Sequence, residues 1–181
     1  MIDLIVYTAL FGDYDRLPPV KPSTVPHVCF ADMDITANGW EMVRVDREGD
    51  ARRANRRIKI TPPETITSMK WSLYIDASIE IQIPTEEFVD RVLQLDGGAS
   101  DLYQFQHNER DCIYQEAAIC VTMGLDDKKK IKKQIKRYRE KGYPRNNGLY
   151  SNGIILRRHS NQVAQFNARW WREVEAYSVR D

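Results

Sequence analysis

The sequence predicts an α/β fold, a single domain with a mostly parallel mixed central sheet flanked by helices. Two observations carry that prediction. Short runs rich in β-branched and aromatic residues alternate with segments of helical periodicity, and Gly, Pro and Asp clusters punctuate the boundaries. The 181 residues show no repeat, no low-complexity linker and no compositional seam, so one domain over residues 1–181 is expected.

Residues 2–8 read as a buried strand, followed by Ala-Leu-Phe-Gly-Asp-Tyr-Asp, a turn in which Gly12 lets backbone approach a ligand. Pro18, Pro19, Pro22 and Pro26 keep residues 17–26 irregular. His27–Ala31 is a second strand ending at Asp32, and residues 40–45 form a third. Residues 51–59 carry Arg52, Arg53, Arg56, Arg57 and Lys59 on a short helix that Thr61, Pro62 and Pro63 terminate.

Residues 70–83 are the most informative stretch. Their odd positions, from Trp71 to Ile83, are apolar and their even positions polar or amphipathic, the period of an extended strand. Such a strand delivers Asp76, Ser78 and Glu80 onto one face. Asp is disfavoured in strands, so that face is either wet or lines a site where a carboxylate meets a metal or a polar ligand.

Pro84 and Thr85 open a helix through residue 95, with Glu86 and Glu87 in its first turn. Residues 102–107 are a strand and 111–123 a helix, in which Asp111 is either an N-cap or a functional carboxylate. Asp126 or Asp127 caps a lysine-rich helix, residues 149–158 form a strand containing Gly153, and 161–177 a final helix with Trp170 and Trp171 in the core.

Net charge is +1, but residues 128–141 hold nine Lys or Arg against one Glu, leaving 18 basic and 25 acidic residues elsewhere. That block reads as a solvated helical face. It has no aromatic platform beside it, which ranks nucleic-acid binding last. Three cysteines without metal-ligand spacing indicate neither a zinc site nor a disulfide framework. No apolar run is long enough to span a bilayer and no basic leader is evident, so no membrane span and a cytoplasmic location are expected.

Ligands of parallel α/β sheets sit at the carboxyl ends of the strands. The loop at Gly12, Asp32, the arginine cluster and Asp76 therefore form a candidate cleft. Carboxylates there hold a base or ribose, and Arg53, Arg56 and Arg57 suit a diphosphate. No phosphate-loop or dinucleotide fingerprint is present.

The blocks Tyr-Thr-Ala-Leu-Phe-Gly-Asp-Tyr-Asp (7–15), Val-Cys-Phe-Ala-Asp (28–32), Ser-Leu-Tyr-Ile-Asp-Ala-Ser-Ile (72–79) and His-Asn-Glu-Arg-Asp-Cys-Ile-Tyr-Gln-Glu-Ala (107–117) carry a resemblance. It continues through Gly-Leu-Tyr-Ser-Asn-Gly-Ile-Ile-Leu-Arg-Arg-His (148–159), Phe-Asn-Ala-Arg-Trp-Trp-Arg-Glu (166–173) and the terminal Ser-Val-Arg-Asp. Together they resemble the DUF616 family, also described as the TOD1/MUCI70 glycosyltransferase-like domain. The resemblance implies a GT-A-like fold and a glycosyltransferase that moves a sugar from a nucleotide-diphosphate donor to an unidentified acceptor. A non-catalytic nucleotide- or glycan-binding module of the same fold is the alternative.

By the same resemblance, Thr8 and Gly12 lie against the nucleotide and Asp32 near its base. Ile-Asp-Ala-Ser stands where many GT-A enzymes carry a metal-binding Asp-x-Asp, with Ser78 in place of the second Asp. A divalent cation, Mn or Mg, is then held by Asp76, with His159 or His107 as a further ligand. His107, Arg110 and Asp111 are expected at the acceptor or sugar, and Asn152 and Gly153 where the donor sugar approaches backbone. The implied base is Asp111 or Asp181.

Overall fold

The computed structural model describes residues 2–12, 15–47 and 49–180. Its strands are β1 (Leu4–Leu10), β2 (His27–Ala31), β3 (Glu41–Arg44), β4 (Trp71–Ile75), β5 (Leu102–Gln106) and β6 (Tyr150–Arg158). The helices are α1 (Ala51–Ile60), α2 (Glu64–Thr67), α3 (Thr85–Gln94), α4 (Ile113–Thr122), α5 (Lys128–Glu140) and α6 (Asn161–Ala176). One six-stranded sheet runs in the order β3-β2-β1-β4-β6-β5. The first four strands are parallel, and β6 is antiparallel to both its neighbours. This is the mixed, mostly parallel α/β architecture that the alternation of elements predicts.

Every residue of β1 and β4 is buried, because helices cover both faces of the sheet. Leu4, Val6 and Leu10 of β1 join Leu73 and Ile75 of β4 beneath Val89 of α3. The alternate residues Ile5, Tyr7 and Tyr74 pack on the opposite side with Ile66 of α2, Ile58 of α1 and Trp170 of α6. A satellite core joins α4 and α5 through Tyr114, Cys120, Ile131 and Ile135. The basic face of α5 turns outward, and Asp127 caps it by accepting from the amides of Lys129 and Lys130. No helix of the described residues is long and apolar enough to cross a membrane.

Two local expectations change. The strand expected over residues 70–83 stops at Ile75, and its even positions are not wet, since Ser72 and Tyr74 are fully buried. Beyond Ile75 the Asp76 carbonyl accepts from the Ile79 amide at 2.9 Å, which turns the chain and takes Ser78 and Glu80 off the strand. The Pro62-Pro63 pair that ends α1 also starts α2. Proline lacks a donor that a helix start does not need.

His159 is also relocated. Because β6 runs antiparallel to β4, Arg158 pairs with Trp71 while Ile154 pairs with Ile75. His159 therefore follows the end of β6 at the amino end of β4, whereas Asp76 follows its carboxyl end. The two cannot share one metal ion.

The same placement gives His159 a titration role. Its Nε2 is buried and meets no hydrogen-bond partner among the described residues, and burial together with the Arg157 guanidinium pushes the imidazole down to about 4. An unfolded chain protonates this ring near pH ~6.5. Below that pH the unfolded state binds a proton that the folded state refuses, so stability falls as pH drops from ~6.5 to about 4. Urea unfolding across this window should show a shallower acid loss in His159→Gln than in the native chain, and equal slopes would contradict this assignment.

Candidate functional site

The carboxyl ends of β1, β2 and β4 open on one edge of the sheet, and the reversed β6 brings its amino end to the same edge. At the β1–β2 corner the chain turns at Gly12, whose φ of 73° is a left-handed conformation that a side chain would strain. The Gly12 amide donates to Asp32 Oδ1 at 3.1 Å, and Arg47 Nε donates to Asp32 Oδ2 at 2.6 Å. Burial pushes the Asp32 carboxyl up, but the Gly12 amide and the Arg47 guanidinium outweigh it and hold the pKa below the ordinary value. Asp32 thus fixes the loop after β1, as well as ending β2.

Asp76 occupies the centre of the edge. Its amide donates to the Gly153 carbonyl at 2.7 Å, extending the β4–β6 pairing by one bond. Tyr74, two residues earlier on the same face, donates its hydroxyl to Asp76 Oδ1 at 2.8 Å. The ammonium of Lys59, only 2% exposed, lies 3.6 Å from that oxygen and 5.2 Å from the centroid of the Tyr74 ring. Oδ1 is therefore held from two sides. A Cβ at position 153 would stand 3.3 Å from Oδ2 and 2.8 Å from Ile79 Cδ1, so glycine is what lets β6 pass this close to the carboxylate.

The expected arginine clamp is redistributed. Arg53 donates to the Val174 carbonyl at 2.7 Å, and the Arg57 guanidinium lies 4.9 Å from the Trp171 ring, so this i, i+4 pair ties α1 to α6. Arg56 donates to Asn55, whose amide in turn donates to the Ala9 carbonyl of β1. Thr8 is fully buried inside β1 and its side chain cannot touch a ligand in this conformation. Asn152 accepts from the Gln104 amide on β5, next to Gly153.

On the far side of the edge, Arg110 donates to Glu116 at 2.6 Å, and the Glu109 and Arg110 amides both approach His107 Nδ1 at 3.2 Å. On the other side of the ring, Arg110 Nη2 lies 3.2 Å from His107 Nε2, which is 3.8 Å from Glu116 Oε2. Burial pushes the Glu116 carboxyl up, yet the bond from Arg110 helps bring the net shift below the ordinary value. His107 and Arg110 are thus brought together as expected, around a Glu116 that was not. Asp111 does not cap α4; Cys112 holds the N-cap position and Asp111 is exposed before it. Asp181 lies outside the described residues.

Lys59, Tyr74, Arg47 and Glu116 were not anticipated as site residues. Lys59 has a visible signal, since positions 52, 56 and 59 share one helical stripe distinct from 53, 57 and 60. Among the described residues no group of three His, Cys, Asp or Glu side chains assembles a metal site. Asp76 suits a divalent cation only as a protein ligand sharing the ion with phosphate oxygens, the usual mode for magnesium.

The TOD1/MUCI70 glycosyltransferase-like domain matches residues 30–181. The chain belongs to this family. The match runs from Phe30, near the end of β2, to residue 181 and includes Asp32, Asp76 and Gly153, while β1 with Thr8 and Gly12 precedes it. No curated protein matches the chain. In this chain the Asp32 carboxylate holds the Gly12 loop and Arg47 together. Asp32→Ala should cost about 1–2 kcal/mol, the value of hydrogen bonds to a partly buried charge, measured as a lower urea midpoint; an unchanged midpoint would show that Arg47 and Gly12 do not rely on it.

Proposed function

We propose that this domain transfers a sugar from a nucleotide-diphosphate donor to an acceptor, with the nucleotide against the Gly12 loop and Asp32 and the reacting centre beside Asp76. The reading is supported by one observation above others. Asp32, Asp76 and Gly153 of the glycosyltransferase-like domain, with Gly12 of the preceding loop, lie on the carboxyl edge of the parallel strands, where α/β proteins bind ligands.

In this reaction the bond between the anomeric carbon and the donor phosphate oxygen breaks, its electron pair leaving with the diphosphate. An acceptor hydroxyl oxygen forms the new bond to that carbon and gives up its proton. For an inverting course Asp111, exposed in the loop after β5, takes the proton. Tyr74 and Lys59 hold Oδ1 of Asp76, which leaves Oδ2, the oxygen beside Gly153, for the ligand. A Mn or Mg ion, when bound, would be held by Asp76 together with donor phosphate and would offset charge on the departing group.

A non-catalytic binding module is favoured by one specific feature. Ser78, in place of a second carboxylate, sits exposed in the turn after β4 and off the strand face. Binding of a nucleotide diphosphate with neither hydrolysis nor transfer would select that alternative.

Thermal unfolding with UDP, GDP or ADP, each with and without Mn²⁺ or Mg²⁺, tests donor binding. A nucleotide at roughly 100 times its Kd adds about 2.7 kcal/mol, raising the Tm of a chain this size by about 5–10 °C. Asp76→Asn should abolish any metal-dependent part of the shift. No shift from any of the three nucleotides would contradict the proposal.

A further inference from the structure

A groove of about 610 Å³, with Asn152 in its wall, lies between α6, the start of β6 and the turn preceding it. Its volume falls in the ordinary range for small-ligand clefts. Seven large hydrophobic side chains are exposed among the described residues, and three of them, Tyr143, Tyr150 and Phe166, line this one groove. Their exposures are 40%, 55% and 42%. Trp170 joins them, its ring centroid 5.7 Å from that of Phe166 and tilted by 53°. The buried Arg157 guanidinium lies 6.0 Å from the centroid of the Trp170 ring and backs it from the core.

The groove also carries planar hydrogen-bonding groups from β5, β6, the turn and α6, together with the Glu173 carboxylate. Gln104 and Asn152 are bonded to each other, Asn147 donates to the Tyr143 hydroxyl at 3.2 Å, and Arg169 stands on α6. Aromatic faces carry negative quadrupole charge and attract weakly positive C–H groups. Amides supply donors and acceptors, and the Arg169 guanidinium adds donors. A pyranose ring has both complements, a C–H face and a girdle of hydroxyls.

Position supplies the remaining argument. Asn152 in the groove wall is followed by Gly153, where a Cβ would meet Asp76, so the groove begins one residue along β6 from the proposed reacting centre. We infer that this groove is the acceptor subsite and that it takes the sugar rings of a glycan, stacked on Tyr150, Phe166 and Trp170. The inference rests on the glycosyltransferase reading for the word acceptor; the glycan-binding claim is independent of the donor.

A glycan array of short oligosaccharides, followed by fluorescence titration of the best binder into the native chain and a Tyr150→Ala/Phe166→Ala variant, is the test. Both residues are exposed and the variant should keep its far-ultraviolet dichroism. Loss of two stacking rings should weaken binding about tenfold while leaving any nucleotide-dependent thermal shift in place. On the native chain alone, bound-sugar ring protons should move upfield in NMR spectra from aromatic ring currents. Glycan binding without nucleotide binding would support the groove and defeat the donor proposal. Absence of any bound oligosaccharide, equal affinity in the variant, or sugar protons without ring-current shifts would overturn the inference.

Discussion

The hydrogen bond from the Asp76 amide to the Gly153 carbonyl, 2.7 Å long, is the contact on which the carboxyl edge depends. It is the last rung between β4 and the reversed β6, and beyond it the chain turns through Ala77 and Ser78. That turn, closed by the Ile79 amide on the Asp76 carbonyl, ends the strand and leaves Asp76 at the rim with its side chain on the Tyr74 side of the sheet. The absence of a side chain at 153 is part of the same constraint, because a Cβ would crowd both Asp76 Oδ2 and Ile79.

That rim is connected to the core by buried cations. Arg157 is fully buried and donates to the Tyr7 hydroxyl at 2.8 Å and to the Lys59 carbonyl at 2.7 Å. Tyr7 donates to the same carbonyl at 3.0 Å, and its ring meets Tyr74 edge-on at 5.2 Å. A buried guanidinium is costly to desolvate, and these bonds and the face of Trp170 offset part of that cost. The consequence is positional. The end of α1 is fixed to β1 and β6, and from there Lys59 extends along Tyr74 to Asp76. The charge beside Asp76 is thus held by the core, with little of the freedom of a surface lysine.

Much of this was legible in the sequence, and the exceptions have identifiable causes. β1, β2 and Asp32 could be read because apolar runs ending in an acidic residue mark strand ends in an α/β pattern, and Asp76 stood out as an acidic residue in a strand-like run. The end of β4 could not, since Ile79, Ile81 and Ile83 continue the period of two after the strand stops. Ile81 is packed against the α3-side core from a loop, which periodicity does not distinguish from a strand. His159 was misplaced because strand direction is not encoded locally. Reversal of β6 sends its far end away from the site and brings Asn152 and Gly153 to it. Arg53 and Arg57 looked equivalent to Lys59 on a helix basic nearly all round, until the position of α6 assigned them to packing.

A crystal structure with a saturating nucleoside diphosphate measures the central claim most directly. The account predicts the nucleotide at the carboxyl edge, its base by Asp32 and its diphosphate between the Gly12 loop and Asp76, with Asp76→Asn weakening its occupancy. A nucleotide bound elsewhere on the domain, or none at saturating concentration, would contradict it.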